Sequence, residues 1–179
     1  LKLKTTLENE MKFLMYHKIC MSQNEVVSDY DITQEQFLSH LDIIKNSSRE
    51  VTFTFDDGNK SDLWAGHQLK SNGMRAIFFI TVEWIDKAGF LSSSDILELR
   101  GLGHEIASHS LSHPMFDRLN KSSYEYELTI SKKQLEDLIG SQVKSFAFPG
   151  GKFSSRCVAA AFNSGYEFIY NSYELPWRS

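Results

Sequence analysis

Cysteine is nearly missing: Cys20 and Cys157 are the two in 179 residues. They are too few for a disulfide framework and lack metal-knuckle spacing, so both are expected to be buried thiols. An excess of basic charge is missing as well. Nineteen Lys and Arg against 23 Asp and Glu leave a net charge of −4, so no global positive field favours nucleic acid or an anionic membrane as a partner. No apolar run approaches the ~20 residues of a membrane span. No glycine-rich phosphate fingerprint follows the first apolar segment, which argues against a dinucleotide fold. Internal repeats, low-complexity stretches and linkers are absent too. What is there is ordinary globular material, 41% hydrophobic and 23% charged, and not a disordered or collagen-like chain. The length suits about one domain, able to bury about two thirds of its unfolded surface without staples. Thirteen Phe, seven Tyr and three Trp supply bulky core side chains. Trp84 and Trp177 could stack on a sugar, although core packing is the expected role of each.

The first ten residues, LKLKTTLENE, lack the apolar stretch of a secretory signal. Met11 then opens MKFLMYHKI, which runs straight into a strand. Residues 1–10 are therefore read as an added or mobile leader and 11–179 as a single catalytic domain. A chain that starts at Met11 without a signal is expected in the cytoplasm, the alternative being an exported protein already trimmed.

Beyond the leader, short apolar strands alternate with amphipathic helices. Strands are expected at 13–16, 51–55, 76–80, 105–107, 146–148 and 168–170. Thr33 with Gln36 forms a capping-box pattern ahead of Phe37, Leu41 and Ile44 at helical spacing. Further helices are expected over 61–72 with Gly73 as stop, through Ile96 and Leu99 to about Gly103, from Ser122 with Glu125 to Gly140, and over 154–163. Six strands interleaved with five helices argue for an α/β architecture with a mostly parallel sheet. A closed eight-unit barrel usually needs ~250 residues, so the expectation is a distorted or incomplete (β/α) barrel.

Three segments could carry chemistry. Asp56 and Asp57 follow a strand; adjacent carboxylates repel, so one must bind a cation or carry a proton, unless the pair only caps a turn. His109 and His113 are four apart, which in a helical turn puts both imidazoles on one face. With one carboxylate they would make a common catalytic zinc set that keeps a position open for water. His104 precedes a strand and reads as structural or exposed, while His40 and His67 lie on helices without acidic company. In Phe148-Pro149-Gly150-Gly151, Pro and Gly usually mean a turn, but they also let a backbone N–H approach a developing oxyanion.

Taken in order, TFDDG, GHEIASHSLSHP and FAFPGG resemble the motifs of the polysaccharide deacetylase family, carbohydrate esterase family four. The resemblance runs from about Met11 to Tyr170. It implies a distorted barrel, one divalent metal (zinc first) and hydrolysis of an acetamide on an amino sugar in a polysaccharide or glycan precursor, with an acetylated carbohydrate as partner. By position, Asp57, His109 and His113 look like the metal ligands and Asp56 like the general base. Gly150, after Pro149, is the candidate oxyanion donor. Two positions depart from the common pattern. Ala147 stands where an Arg usually orients the base, with Lys152 and Arg156 as nearby replacements. No His follows His113, where a catalytic His is usual. Met15-Tyr16-His17 resembles the opening of a permuted branch with an FA-aromatic-P third motif that acts on exopolysaccharides, in which this His supplies the missing acid. Competing readings are an O-acetyl esterase or non-sugar amidase on the same site, and a silent carbohydrate-binding relic. The oligomeric state is not legible.

Overall fold

The computed structural model describes residues 12–47 and 50–171; the proposed leader, Met11 and Trp177 lie outside them. The strand order follows from alternation. In β4 (Val51–Phe55), Phe53 and Phe55 are buried, and so are Phe78 and Ile80 of β5 (Ala76–Ile80). Ile106 of β6 (Glu105–Ser108) and Phe146 of β7 (Ser145–Ala147) continue the same layer. Tyr16, closing β1 (Lys12–Tyr16), stacks on Phe55 at 5.3 Å, and Phe55 stacks on Phe78 at 4.8 Å. Each such side chain contributes about 1.5–3 kcal/mol of burial, and together they fix the register, because a one-residue slip would turn them to the other face.

Among the described residues the main sheet runs β1-β4-β5-β6-β7-β8, parallel throughout, with β8 at Phe168–Tyr170. Helices cover its outer face: α1 (Gln34–Lys45), α2 (Ser61–Ser71), α3 (Ser93–Gly101), α4 (Lys121–Ile139) and α5 (Ser155–Asn163). The other face carries a small cluster of Ile77, Phe79, Ala107 and Ala147, closed by Tyr170. Phe13 of β1 meets Tyr170 of β8 edge-on at 5.5 Å. The two edge strands are therefore brought together by side chains and not by a hydrogen-bonded ladder, so the sheet is the expected incomplete barrel. The helix–helix fit is close where it needs to be. A Cβ on Gly66 of α2 would lie 2.3 Å from Leu99 Cδ2 of α3.

The structure changes several local expectations. A two-residue parallel pair, β2 (Ile19–Cys20) with β3 (Ile32–Thr33), follows β1 and was not expected. The capping box at Thr33 and Gln36 is formed as read. The longest helix is capped by Asn120, whose Oδ1 accepts from Ser123 N–H at 3.0 Å, and not by Ser122. Cys20 and Cys157 are buried free thiols. No helix among the described residues is long and apolar enough to cross a membrane.

Candidate active site

All six strands point the same way, so their carboxyl ends share one rim, where barrels of this class carry their chemistry. His17 follows β1, Asp56 and Asp57 follow β4, His109 follows β6, and Pro149 lies just beyond β7. Asp57 has φ 79°, an unusual left-handed backbone for a residue with a side chain. Its carbonyl accepts from Thr81 N–H at 3.4 Å, and the next carbonyl, of Gly58, accepts from Leu91 N–H at 2.9 Å.

His109 and His113 do converge, but not through a helical turn. Residues 109–113 form a loop with Ser110 at φ 73° and His113 at φ 63°. Those two left-handed residues fold the chain back so that the imidazole centroids lie 5.0 Å apart. His109 is buried, and its Nδ1 donates to the Ala147 carbonyl at 3.0 Å. A carbonyl can only accept, so Nδ1 carries the proton and Nε2 presents a lone pair. Burial holds the imidazole neutral, its pKa pushed down to about 4 despite Asp57 nearby.

That lone pair faces carboxylate oxygens: Asp57 Oδ1 at 3.6 Å and Asp56 Oδ2 at 3.9 Å. His113 Nε2 is 3.3 Å from the same Asp57 oxygen, yet among the described residues that buried oxygen has no hydrogen-bond partner. One ligand atom from each of Asp57, His109 and His113 lies within 4.8 Å of the others. Tetrahedral zinc ligands at about 2.0–2.1 Å stand about 3.3–3.4 Å apart. A neutral His109 nitrogen and a His113 nitrogen 3.6 and 3.3 Å from one Asp57 oxygen, close to that spacing, make a set that a cation would satisfy, so the residues present fit one.

Asp56 is buried beside this set, its carboxyl pushed up to about 7 by burial. His17 and His113 pull it down and Asp57 pushes it up. Asp57 moves the other way: against the effect of burial, His113, His109 and His17 hold its carboxyl below its ordinary value. The pair thus splits as two adjacent carboxylates should. Asp62, in the first turn of α2, is a third acid behind them, fully buried, with both oxygens unpartnered among the described residues.

His17 is half-buried, with its ring 4.9 Å from the exposed Tyr30. Lys152 and Arg156 are both exposed, and the groups that shift Asp56 are His17, Asp57 and His113. Ala147 itself sits in the small inner cluster, so apolar packing occupies its surroundings. Pro149 is buried; Gly150 is exposed at φ 60°, and a Cβ there would come within 2.9 Å of the Met115 side chain.

His104 is structural as read: Nδ1 accepts from Ala76 N–H and Nε2 donates to the Gly66 carbonyl. His67 does have acidic company, Glu98 at 2.8 Å, supplied by α3 and so invisible along the chain. Trp84 is not a core residue. It is half-buried and stacks on His113 at 5.0 Å and 27°. Sequence reasoning missed Glu127, which binds the loop between the two histidines. Its signal was a charged residue on the buried stripe of α4, beside Tyr124, Leu128, Ser131 and Leu135.

Residues 44–169 match the family model described as polysaccharide deacetylase. The Bacillus subtilis (strain 168) protein YxkH is 27% identical over 124 residues, 69% of this chain and 44% of its own length. The chain spans less than half the length of the curated relatives it matches. Among solved structures, the Streptococcus pyogenes deacetylase PplD, in complex with acetate, is similar with a TM-score of 0.80 at 20% identity, over 88% of this chain and 81% of that one. A polysaccharide deacetylase from Bacillus cereus is similar with a TM-score of 0.82 at 24% identity, over 91% and 58%. With the family model covering most of its length, this chain belongs to the polysaccharide deacetylase family.

Proposed function

We propose that the chain is a metal-dependent hydrolase that removes N-acetyl groups from an amino sugar in a polysaccharide or glycan precursor. The observation that carries this reading is the neutral His109 Nε2 lone pair converging with His113 on an unpartnered Asp57 oxygen, with a second, buried carboxyl, Asp56, alongside. Asp57, His109 and His113 would hold a divalent cation, zinc by the chemistry of the set. When bound, it would supply Lewis-acid stabilisation of charge at the acetyl carbonyl oxygen and ease ionisation of water.

The remaining work falls to the chain. Asp56 takes a proton from the attacking water, and a carboxyl raised to about 7 is matched to that task near neutral pH. Gly150, whose left-handed backbone a side chain would crowd, offers its N–H to the developing oxyanion. As the C–N bond breaks and acetate leaves, the amine nitrogen takes a proton from His17. The electrostatic reach of His17 to both Asp56 and Asp57 supports that role, and with it kinship to the branch that opens on Met15-Tyr16-His17. The domain reading of 11–179 as one catalytic unit goes with this proposal.

Acetate release from N-acetylated amino-sugar oligomers, with and without chelator, tests the reading. Release that stops with chelator and returns with zinc is expected. Release only from O-acetylated sugars or from non-sugar amides would change the substrate class, and binding without release would make the chain a relic. Asp56→Asn should lower turnover about 10²- to 10⁴-fold with zinc content retained; lost zinc would make Asp56 a ligand instead. His17→Ala should lower turnover with zinc affinity intact, and full activity in that variant would remove it from the mechanism.

A further inference from the structure

The loop that carries His113 has a backbone it would not adopt alone. Ser110 and His113 are both left-handed, at φ 73° and 63°, a conformation disfavoured for residues with a Cβ. Something must hold it. On one side, Val82 and Glu83 N–H donate to the Ser110 and Leu111 carbonyls at 3.2 and 2.9 Å. Within the loop, His113 N–H donates to Ser110 Oγ at 2.9 Å. On the other side, a single carboxylate from α4 takes three donors. Glu127 Oε2 accepts from Leu111 N–H and Ser112 N–H, both at 2.9 Å, and Oε1 accepts from Ser112 Oγ at 2.6 Å.

Successive amides pointing at one anion form a nest, and bonds to an ionised acceptor are roughly twice as strong as neutral ones. Glu127 is buried, and no cation pairs with it among the described residues. Its bonds are therefore spent on the two amides that lie between His109 and His113. We infer that Glu127 is a positioning residue: it locks the 110–113 loop and so presets the spacing of His113 against His109 and Asp57. This rests on the metal reading of the site. Groups that orient ligands in this way typically change metal affinity 10- to 100-fold when removed.

Glu127→Gln keeps one oxygen that can accept from the two amides, but it removes the carboxylate charge that strengthens those bonds and the acceptor that the Ser112 hydroxyl uses. Zinc affinity, measured by competition with a chromophoric chelator, should fall about 10- to 100-fold. The same carboxyl-to-amide change at Glu136, which on the same helix accepts from Val143 N–H and Lys132, should leave affinity unchanged. Ser112→Ala, which removes one bond of the three, should weaken zinc less than Glu127→Gln. Equal affinity for Glu127→Gln and the parent protein would overturn the inference, as would an equal loss in Glu136→Gln. Amide exchange without zinc reads the clamp itself: Leu111 and Ser112 should be protected in the parent protein, even if Glu127→Gln folds poorly. Rapid exchange there would also overturn it. A parent protein that binds no zinc, with both amides protected, would instead overturn the metal reading and leave the clamp standing.

Discussion

Asp62 sits behind the two site carboxylates with neither oxygen partnered among the described residues. Burial first, and then the charge of Asp57, raise its pKa well above 3.8. The sign of the linkage follows. Below pH 3.8 the side chain is protonated in both folded and unfolded chains, and its contribution to stability is whole. As pH rises from there toward the raised folded value, the unfolded chain ionises first and folding stability is lost. Asp62→Asn cannot ionise and should remove that loss. In metal-free protein, the variant should therefore gain stability over the parent as pH rises above 3.8, by about 1.4 kcal/mol for each unit of pKa shift removed. Urea denaturation at several pH values measures it. A stability difference that does not change with pH would mean that Asp62 finds a partner when ionised.

At the N-terminus of α4, Asn120 Oδ1 accepts from Ser123 N–H, while Ser122 Oγ reaches only the Asn120 side chain at 2.8 Å on the surface. Asn120→Ala should cost about 1 kcal/mol and Ser122→Ala less than about 0.5 kcal/mol, read from thermal or urea midpoints. Equal losses would return the cap to Ser122. The pair illustrates what the chain discloses by itself. Periodicity set β4, β5 and β8 at 51–55, 76–80 and 168–170, the bounds that the structure has, because five-residue apolar strands and a terminal aromatic one carry a clear pattern. It could not resolve β2 and β3, two residues each, since alternation needs more positions than that. It also misplaced a cap by two residues, because Ser and Asn are nearly equivalent caps. At the site, the adjacent Asp56 and Asp57 and the four-residue spacing of His109 and His113 could be picked out along the chain, and their candidate roles came from the family resemblance. The geometry of the 110–113 loop was not legible. Its convergence depends on Glu127, on Val82 and Glu83, and on the Ala147 carbonyl, all distant in sequence. Trp84 misled for the same reason: an aromatic residue is core by default, and only the fold brings it onto His113.

At the scale of the whole molecule, the candidate ligands come from separate stretches of chain, Asp57 after β4 and the histidines after β6. The unfolded chain cannot bring these together, so a cation bound there binds the folded state almost alone, and its binding free energy becomes folding free energy. The cost that a cation would relieve is a buried Asp57 oxygen with no hydrogen-bond partner among the described residues, facing a His109 lone pair at 3.6 Å. Zinc at a free concentration 100 times its dissociation constant should add about 2.7 kcal/mol. For a chain of 179 residues that is a rise in Tm of about 5–10 °C, reversed by chelator. His113→Ala removes one half-buried candidate ligand and the ring that Trp84 covers, so the metal-free variant should melt slightly below the parent and gain little from zinc. A full rise retained in His113→Ala would put the zinc elsewhere on the protein. A parent Tm indifferent to zinc would mean that the three side chains converge for some purpose other than holding a metal. The expected result, a rise confined to the parent and abolished by chelator, ties the stability of the fold to the same three side chains that the proposed chemistry needs.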